Sequence, residues 1–534
     1  MKRVVSLLLI LCFLFVALMA CGEVEETQAP TEKPTESQIV EDGGTIKDTD
    51  EYSQNLFIPA INPDEHNYDG ETINILCRNS ENLYREFGKE SVGDDTLDQA
   101  IKARNDIVAE GLNVVVNVVI KDVGGFEDYV EKFNSYVKND VEIGLHEYDA
   151  VAAFAYAATN SGIREYLANL MDTDEFPHFA FDKPCWNQSL VDEIVVNDRL
   201  YVVAGDLNLS MFDSTMMVWC NKTLYNNLKD DADPDIQELA LSKNGWTYSD
   251  LYSWAQLYTD RPNAEQDCQD FHGWSMTKNH YDSCLPAWDI DLVKKNNDGT
   301  YSYNIYGNDH AEESMELLRD LIKLQGTVRA CTCGTGLMGH FTEGDILFCQ
   351  GNLYSDSETN LKIRNMSDEY CILPLPKYDE KQESYGTISQ MGFNIMSVID
   401  HSGSDVPTKG EAVSAYFQYA NEKSYTDVRG YYFEKIVKAK YFGADDTTGT
   451  VTNSQKIFEL ILDTVSWDVA TIYSPVLNDI TWLWKDLVEL QGTLESSFKS
   501  NTNSGRMGGG SNLRTEAEYE AYLKTFNDWM FAET

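Results

Sequence analysis

Between Ile73 and Phe154 the chain alternates short apolar runs with stretches of helical period, and this order limits its fold more than any other feature. Ile73-Asn74-Ile75-Leu76-Cys77 reads as a strand. Thr96 to Gly111 puts Leu97, Ile101, Arg104 and Val108 on one helical face, and Gly111 stops it. Val114 to Ile120 is a β-branched run, Phe126 to Val137 has helical period, and Tyr148 to Phe154 reads as a buried strand. Strand, helix, strand, helix, strand predicts a parallel sheet with covering helices.

The pattern continues less regularly. Leu200 to Val203, Met216 to Cys220 and Ile346 to Cys349 are further expected strands. Helices are expected over Trp246–Leu257, Ala311–Leu324, Gly410–Glu422, Asn453–Val465, Pro475–Gln491 and Thr515–Phe531. Asn296-Asn297-Asp298-Gly299 signals a hairpin turn. A chain of 534 residues exceeds one ordinary core, so two or three domains or lobes are expected.

The amino terminus has a different logic. Lys2-Arg3 precedes an apolar run from Val4 to Val16, and Ala17-Leu18-Met19-Ala20-Cys21-Gly22 follows. A charged start, an apolar core and a small residue before the cut describe a secretory signal peptide. Leu18-Met19-Ala20-Cys21 resembles the bacterial lipobox, which implies lipidation of Cys21 and export. A short transmembrane anchor is the alternative, but the run is near the lower limit for spanning. Residues 22–68 are poor in apolar side chains and are expected to be a flexible tether.

Net charge is −47, and loss of Lys2 and Arg3 with the signal peptide deepens it. Such a surface repels phosphate backbones and anionic lipid, so no nucleic-acid partner is expected. By the same argument the balance mildly disfavours an anionic ligand. Nine cysteines remain after Cys12 and Cys21, an odd number that does not make a disulfide framework. Cys331-x-Cys333 with His340 is an incomplete metal set, so no metal and no cofactor are expected. Ser504 to Ser511 is glycine-rich but lacks the Gly-Lys-Ser/Thr of a phosphate cradle, and reads as a mobile loop.

Five segments in order carry a resemblance. Asn197-Asp198-Arg199-Leu200-Tyr201-Val202-Val203, Val218-Trp219-Cys220-Asn221-Lys222-Thr223-Leu224, Asn244 to Leu251, Phe341 to Phe348 and Ile372-Leu373-Pro374-Leu375-Pro376-Lys377-Tyr378-Asp379 together resemble the extracellular solute-binding proteins (family 1-like, carbohydrate-binding) of ABC importers. The resemblance implies a periplasmic-binding-protein-like α/β fold: two lobes joined by crossing hinge strands, with a ligand cleft between them. The division it implies is 1–20 signal peptide, 21–68 lipidated cysteine and tether, 69–202 plus about 347–400 lobe 1, and 203–346 plus about 401–534 lobe 2. Where the family often has Tyr before Asn-Lys, this chain has Cys220, which leaves one sugar-stacking position in doubt.

The implied ligand is a sugar or oligosaccharide, and the implied partner is an ABC permease. Lipid is the only expected membrane contact, and a monomer is expected. Ligands sit beyond the carboxyl ends of strands in open α/β sheets, where aromatic rings cover sugar faces and polar groups bind hydroxyls. Candidate binding residues are therefore Arg78, Asn79, Glu81, Phe154, Tyr156, Asp213, Trp274, Trp288, Tyr354 and Trp467. At Tyr354 the family commonly carries a sugar-stacking aromatic. No catalytic residue is expected: there is no Gly-x-Ser-x-Gly elbow and no His-Glu-x-x-His. An exported glycan-active enzyme, or a surface sensor or adhesion protein without a transporter, are the alternatives.

Overall fold

The structure of the protein is a computed structural model. It describes residues 57–79, 86–87, 96–123, 126–259, 272–324, 336–353, 363, 366–402, 409–433, 452–490, 492–504 and 515–530. The signal peptide, Cys21, most of the tether, Cys331, Cys333 and the glycine run after Ser504 lie outside the described residues.

Among the described residues ten strands form three sheets: β1 (Glu71–Arg78), β2 (Val114–Lys121), β3 (Ala150–Phe154), β4 (Met216–Asn221), β5 (His272–Ser275), β6 (Val293–Lys295), β7 (Tyr301–Tyr303), β8 (Ile346–Asn352), β9 (Tyr370–Leu373) and β10 (Asn394–Val398). The first sheet has the order β10-β3-β1-β2. β1 pairs in parallel with both β2 and β3, as a strand–helix alternation requires, because parallel neighbours need a crossover between them. The helices Thr96–Leu112 and Phe126–Glu142 provide those crossovers. β10 closes this sheet antiparallel to β3, with Asn394 opposite Phe154.

The second sheet has the order β5-β8-β4-β9. β5 and β8 are parallel, whereas β4 runs antiparallel to both β8 and β9. Helix Tyr248–Thr259 covers it and begins at a reciprocal cap, where Thr247 N–H donates to Asp250 at 2.8 Å and Asp250 N–H returns to Thr247 Oγ1 at 3.4 Å. Gly273 lets that helix lie directly on β5: a Cβ there would sit 1.9 Å from the Ala255 carbonyl oxygen. The small β6–β7 hairpin turns at Asn296–Gly299 as expected, with Gly299 at φ +88°.

Two antiparallel segments cross between the sheets. The outgoing one bridges Val203 to Met396, forms a short helix Leu209–Asp213, and bridges Thr215 to Ser389 on its way into β4. The returning one runs from β9 through residues 387–393 into β10. Leu200 to Val203 therefore makes one bridge rather than the expected strand.

The expected division of the chain needs three corrections. Residues 57–68 are not tether: Ile61 is buried, and the Glu422 carboxylate accepts Ala60 N–H at 2.6 Å. β8 and β9 belong to the second sheet, because they pair with opposite sides of β4; of residues 347–400 only β10 joins the first. Helix Gly410–Lys423 packs on helix Thr96–Leu112 and β1, hence on the first sheet, whereas helix Asn453–Asp463 packs beside β9. Helix Ile480–Glu489 starts five residues later than periodicity predicts, because Asn478 and Asp479 both take left-handed backbone, at φ +59° and +58°.

Candidate functional site

The carboxyl ends of β1 and β3 and the amino end of β10 lie side by side in the first sheet. That edge is where an open α/β sheet receives ligands. Arg78 ends β1, and its Cζ lies 3.4 Å from the Phe154 ring centroid and 5.8 Å from that of Tyr129. Phe154 ends β3; its N–H donates to the Tyr129 hydroxyl at 2.9 Å. Helix Ala155–Ile163 begins at once, and Ala155 N–H donates to the Phe393 carbonyl. Phe154 has no side-chain oxygen to cap that helix, whose amino-terminal end starts at this edge.

Two segments from the carboxy-terminal third reach this edge. Trp467 is 7% exposed and packs on Phe393 with ring centroids 5.3 Å apart; its indole Nε1 has no hydrogen-bond partner among the described residues. The Tyr156 hydroxyl donates to the Asp479 carboxylate. The left-handed backbone at Asp479 thus sits where the side chain meets Tyr156, and strained backbone of this kind collects at ligand sites.

Behind the edge lies a buried polar hub. Glu86 is 1% exposed; its carboxylate accepts from Ser210 N–H and, at 3.1 Å, from the Asn394 side chain. Asn394 N–H in turn donates to Ser210 Oγ at 3.0 Å. Arg104 is buried and donates to the Glu86 carbonyl; burial holds its guanidinium down at about 10. The hub ties both crossing segments to the floor of the edge. Beside it Arg429 faces Asp206 at 3.4 Å and lies over the Phe212, Tyr425 and Phe433 rings. Burial pushes the Asp206 carboxyl up to about 6, with Arg429 opposing. Asp213 accepts from the Tyr432 hydroxyl in the same aromatic group.

Of the ten candidates, Arg78, Phe154, Tyr156 and Trp467 come together at one edge. Asn79 directly follows β1 and is exposed, and Asp213 ends the short helix of the outgoing crossing segment. Glu81 and Tyr354 lie outside the described residues. Trp274 and Trp288 are elsewhere and are withdrawn. They line a small apolar cavity with Leu251, Leu318 and Leu375, 2% and 3% exposed respectively. Trp288 Nε1 donates to the Pro376 carbonyl at 3.0 Å, so its polar edge is already occupied within the core. The stretch around them looked polar and irregular, but β5 carries Trp274 under helix Tyr248–Thr259.

Glu86, Phe393, Asn394 and Asp479 escaped the sequence reading. The Asn478-Asp479 pair ahead of an apolar helix was the one local signal, since Asn and Asp tolerate left-handed backbone. Away from the edge, His340, Glu343 and Asp345 bring ligand atoms within 4.8 Å of one another at the end of helix Gly336–Glu343. His340 Nδ1 there faces Asp345 at 3.3 Å. Six cysteines, including Cys220 and Cys371 opposite each other on β4 and β9, are buried free thiols.

No family model and no curated protein matches the sequence. Solved structures do match its shape. The sugar-binding protein MalE from Xanthomonas citri aligns over 86% of this chain and 97% of its own, with a TM-score of 0.53 at 10% identity. An ABC substrate-binding protein from Listeria monocytogenes, in complex with cycloalternan, aligns over 86% and 99%, with 0.50 at 15% identity. The galacto-N-biose-/lacto-N-biose I-binding protein of the ABC transporter from Bifidobacterium longum, in complex with lacto-N-biose, aligns over 86% and 97%, with 0.50 at 10% identity. With its two α/β sheets, its two crossing segments and this alignment over nearly the whole length of each relative, the chain has the fold of the ABC-transporter solute-binding proteins.

Proposed function

We propose that this protein is the substrate-binding lipoprotein of an ABC importer. It captures an extracellular sugar or oligosaccharide by hinge closure and delivers it to a membrane permease. One observation carries the reading: Arg78 lies over Phe154 at the carboxyl edge of the first sheet, where Tyr156 follows Phe154 and Trp467 packs on Phe393, beside both crossing segments. Aromatic faces with polar donors at their rims are what a sugar needs. Crossing segments allow two lobes to close on it, and a ligand that contacts both lobes favours the closed state. The three solved relatives above are named for sugar binding or for ABC transport, which supports the same reading. It requires no catalytic group.

The protein sits on the outer face of the cell membrane, held by lipid on Cys21, and acts as a monomer beside its permease. Among the described residues no helix is long and apolar enough to cross a membrane. Metabolic labelling with a fatty-acid analogue tests the anchor: label is expected on the protein and is lost in Cys21→Ala. Binding is tested by thermal shift of the full chain in detergent against mono- and oligosaccharides. A ligand of the folded state stabilises it by about 2.7 kcal/mol at a hundredfold excess over Kd. A shift without turnover supports the reading. A shift followed by consumption of the sugar replaces it with an enzyme.

A further inference from the structure

Arg78 differs from the other arginines that the fold holds in place. Arg104 donates to the Glu86 carbonyl and Ser424, Arg199 to the Trp529 carbonyl, Arg319 to Glu316 and to backbone carbonyls, and Arg429 pairs with Asp206. Arg78 is half-buried, and among the described residues its contacts are with the Phe154 and Tyr129 rings. Among the described residues no carboxylate pairs with it. Supply is not the reason: the chain carries 88 Asp and Glu against 41 Lys and Arg. A guanidinium taken partly out of water without an anion loses hydration and regains little from ring faces alone.

Other donors at the same edge are also unspent. Trp467 Nε1 is buried without an acceptor. The positive end of the dipole of helix Ala155–Ile163 lies there as well. Arg78 and Trp467 therefore offer donors and the helix end a positive potential, while the Asp479 carboxylate is engaged by Tyr156. A neutral sugar offers hydroxyls that both donate and accept, and would not need so one-sided a wall.

We propose that the ligand is an acidic glycan, a sugar bearing a carboxylate or sulfate, whose anionic group binds the Arg78 guanidinium beside Phe154. The planar fork of Arg suits such a group in bidentate geometry. This rests on the carbohydrate-binding reading above and reverses the expectation drawn from net charge. The surface carries the excess acid, and the local field at this edge is set by Arg78 and the donors around it.

The test is titration of the full chain in detergent with matched oligosaccharides: galacturonic acid oligomers, galactose oligomers of the same length, and sulfated galactose oligomers. An acidic member is expected to bind at least about tenfold more tightly than its neutral counterpart, as charged hydrogen bonds allow. The carboxylate and sulfate arms show which anion is meant. Arg78→Gln is expected to bring acidic and neutral members within about threefold of each other, and Arg78→Lys to keep part of the preference. Melting of each variant without ligand checks folding; if Arg78→Gln does not fold, Arg78→Lys alone must narrow the preference. Neutral members binding as tightly as acidic ones, with no change in either variant, overturns the proposal and leaves carbohydrate binding intact. Binding of no member of any series overturns both.

Discussion

Two aromatic-rich regions of this molecule are built from the same residue types and do different work. In the interior around the second sheet, Trp246, Trp288 and Trp484 are almost wholly buried, and each indole Nε1 donates to a backbone carbonyl, of Pro374, Pro376 and Tyr281, at 2.9 to 3.1 Å. At the edge of the first sheet, Trp467 is nearly as buried, but among the described residues its Nε1 has no acceptor and Arg78, over Phe154, has no anion. Burial alone would class all four tryptophans as core. What separates them is whether the polar part of the side chain is satisfied inside the protein, since buried polar groups are normally paired. Trp274, buried under the second sheet's covering helix, also has an Nε1 without a partner among the described residues, so an unspent indole marks a candidate only where, as at Trp467, it lies at the sheet edge.

The largest effect expected from that difference is at Trp288. Trp288→Ala should cost about 3–5 kcal/mol, because it empties a well-packed site and strands the Pro376 carbonyl. Urea unfolding without ligand measures it. A loss below about 1 kcal/mol would break the comparison, since Trp288 would then not be a structural residue. The next effect concerns charge near the crossing segments. Asp206 is buried, with its carboxyl pushed up to about 6 from 3.8. The native state thus holds this proton more tightly than the unfolded chain does. Its contribution is whole below about pH 4 and declines as pH rises through about 6, by on the order of 3 kcal/mol. Asp206→Asn should remove that decline, so melting temperatures of variant and native protein should diverge between pH 4.5 and 7, the variant being the more stable at pH 7. Glu193, raised to about 7 by burial, has the same sign and is common to both proteins, so the difference isolates Asp206.

Much of the first sheet was legible, because its strands and helices are local and periodic. Val114–Lys121 and Thr96–Leu112 fall within a residue of expectation. The places of Arg78, Phe154 and Tyr156 in the fold were legible for a related reason: they lie at or just past strand ends. Pairing partners were not legible. Ile346–Asn352 reads as an apolar strand in either lobe, and only its register with Met216–Cys220 places it. Trp274 and Trp288 failed similarly, because nothing local reports that the Pro376 carbonyl waits for an indole 88 residues away. Glu86 and Asn394 are 308 residues apart, and their meeting is a property of the returning segment alone.

Trp467→Phe sharpens the comparison from the other side. It keeps a ring against Phe393 and deletes an indole donor that has no partner among the described residues. Stability should change by less than about 2 kcal/mol, within the range of ordinary substitutions. Affinity for the ligand should fall about tenfold, the worth of one buried hydrogen bond. Trp246→Phe should do the reverse, because its Nε1 serves the Pro374 carbonyl: stability drops and affinity at equal folded fraction holds. Titration calorimetry beside urea unfolding separates the two, and identical profiles would show that an unpaired indole is no mark of a ligand site.

The smallest effect lies at the Tyr156–Asp479 bond, which joins the helix leaving the first sheet to the start of helix Ile480–Glu489. The latter helix packs against residues 278–283 and 309–324, on the side of the second sheet. The bond thus links the two sides, and its loss should weaken the closed arrangement more than the fold. Tyr156→Phe is expected to cost about 1 kcal/mol in unfolding and two- to fivefold in affinity. Asp479→Asn keeps a residue that tolerates left-handed backbone, so its effect reports the carboxylate rather than strain. A double-mutant cycle on affinity should then show a coupling of about 0.5–1 kcal/mol. Additive losses would mean that Tyr156 and Asp479 touch the ligand separately, and that closure is held by the ligand and not by a bond across it.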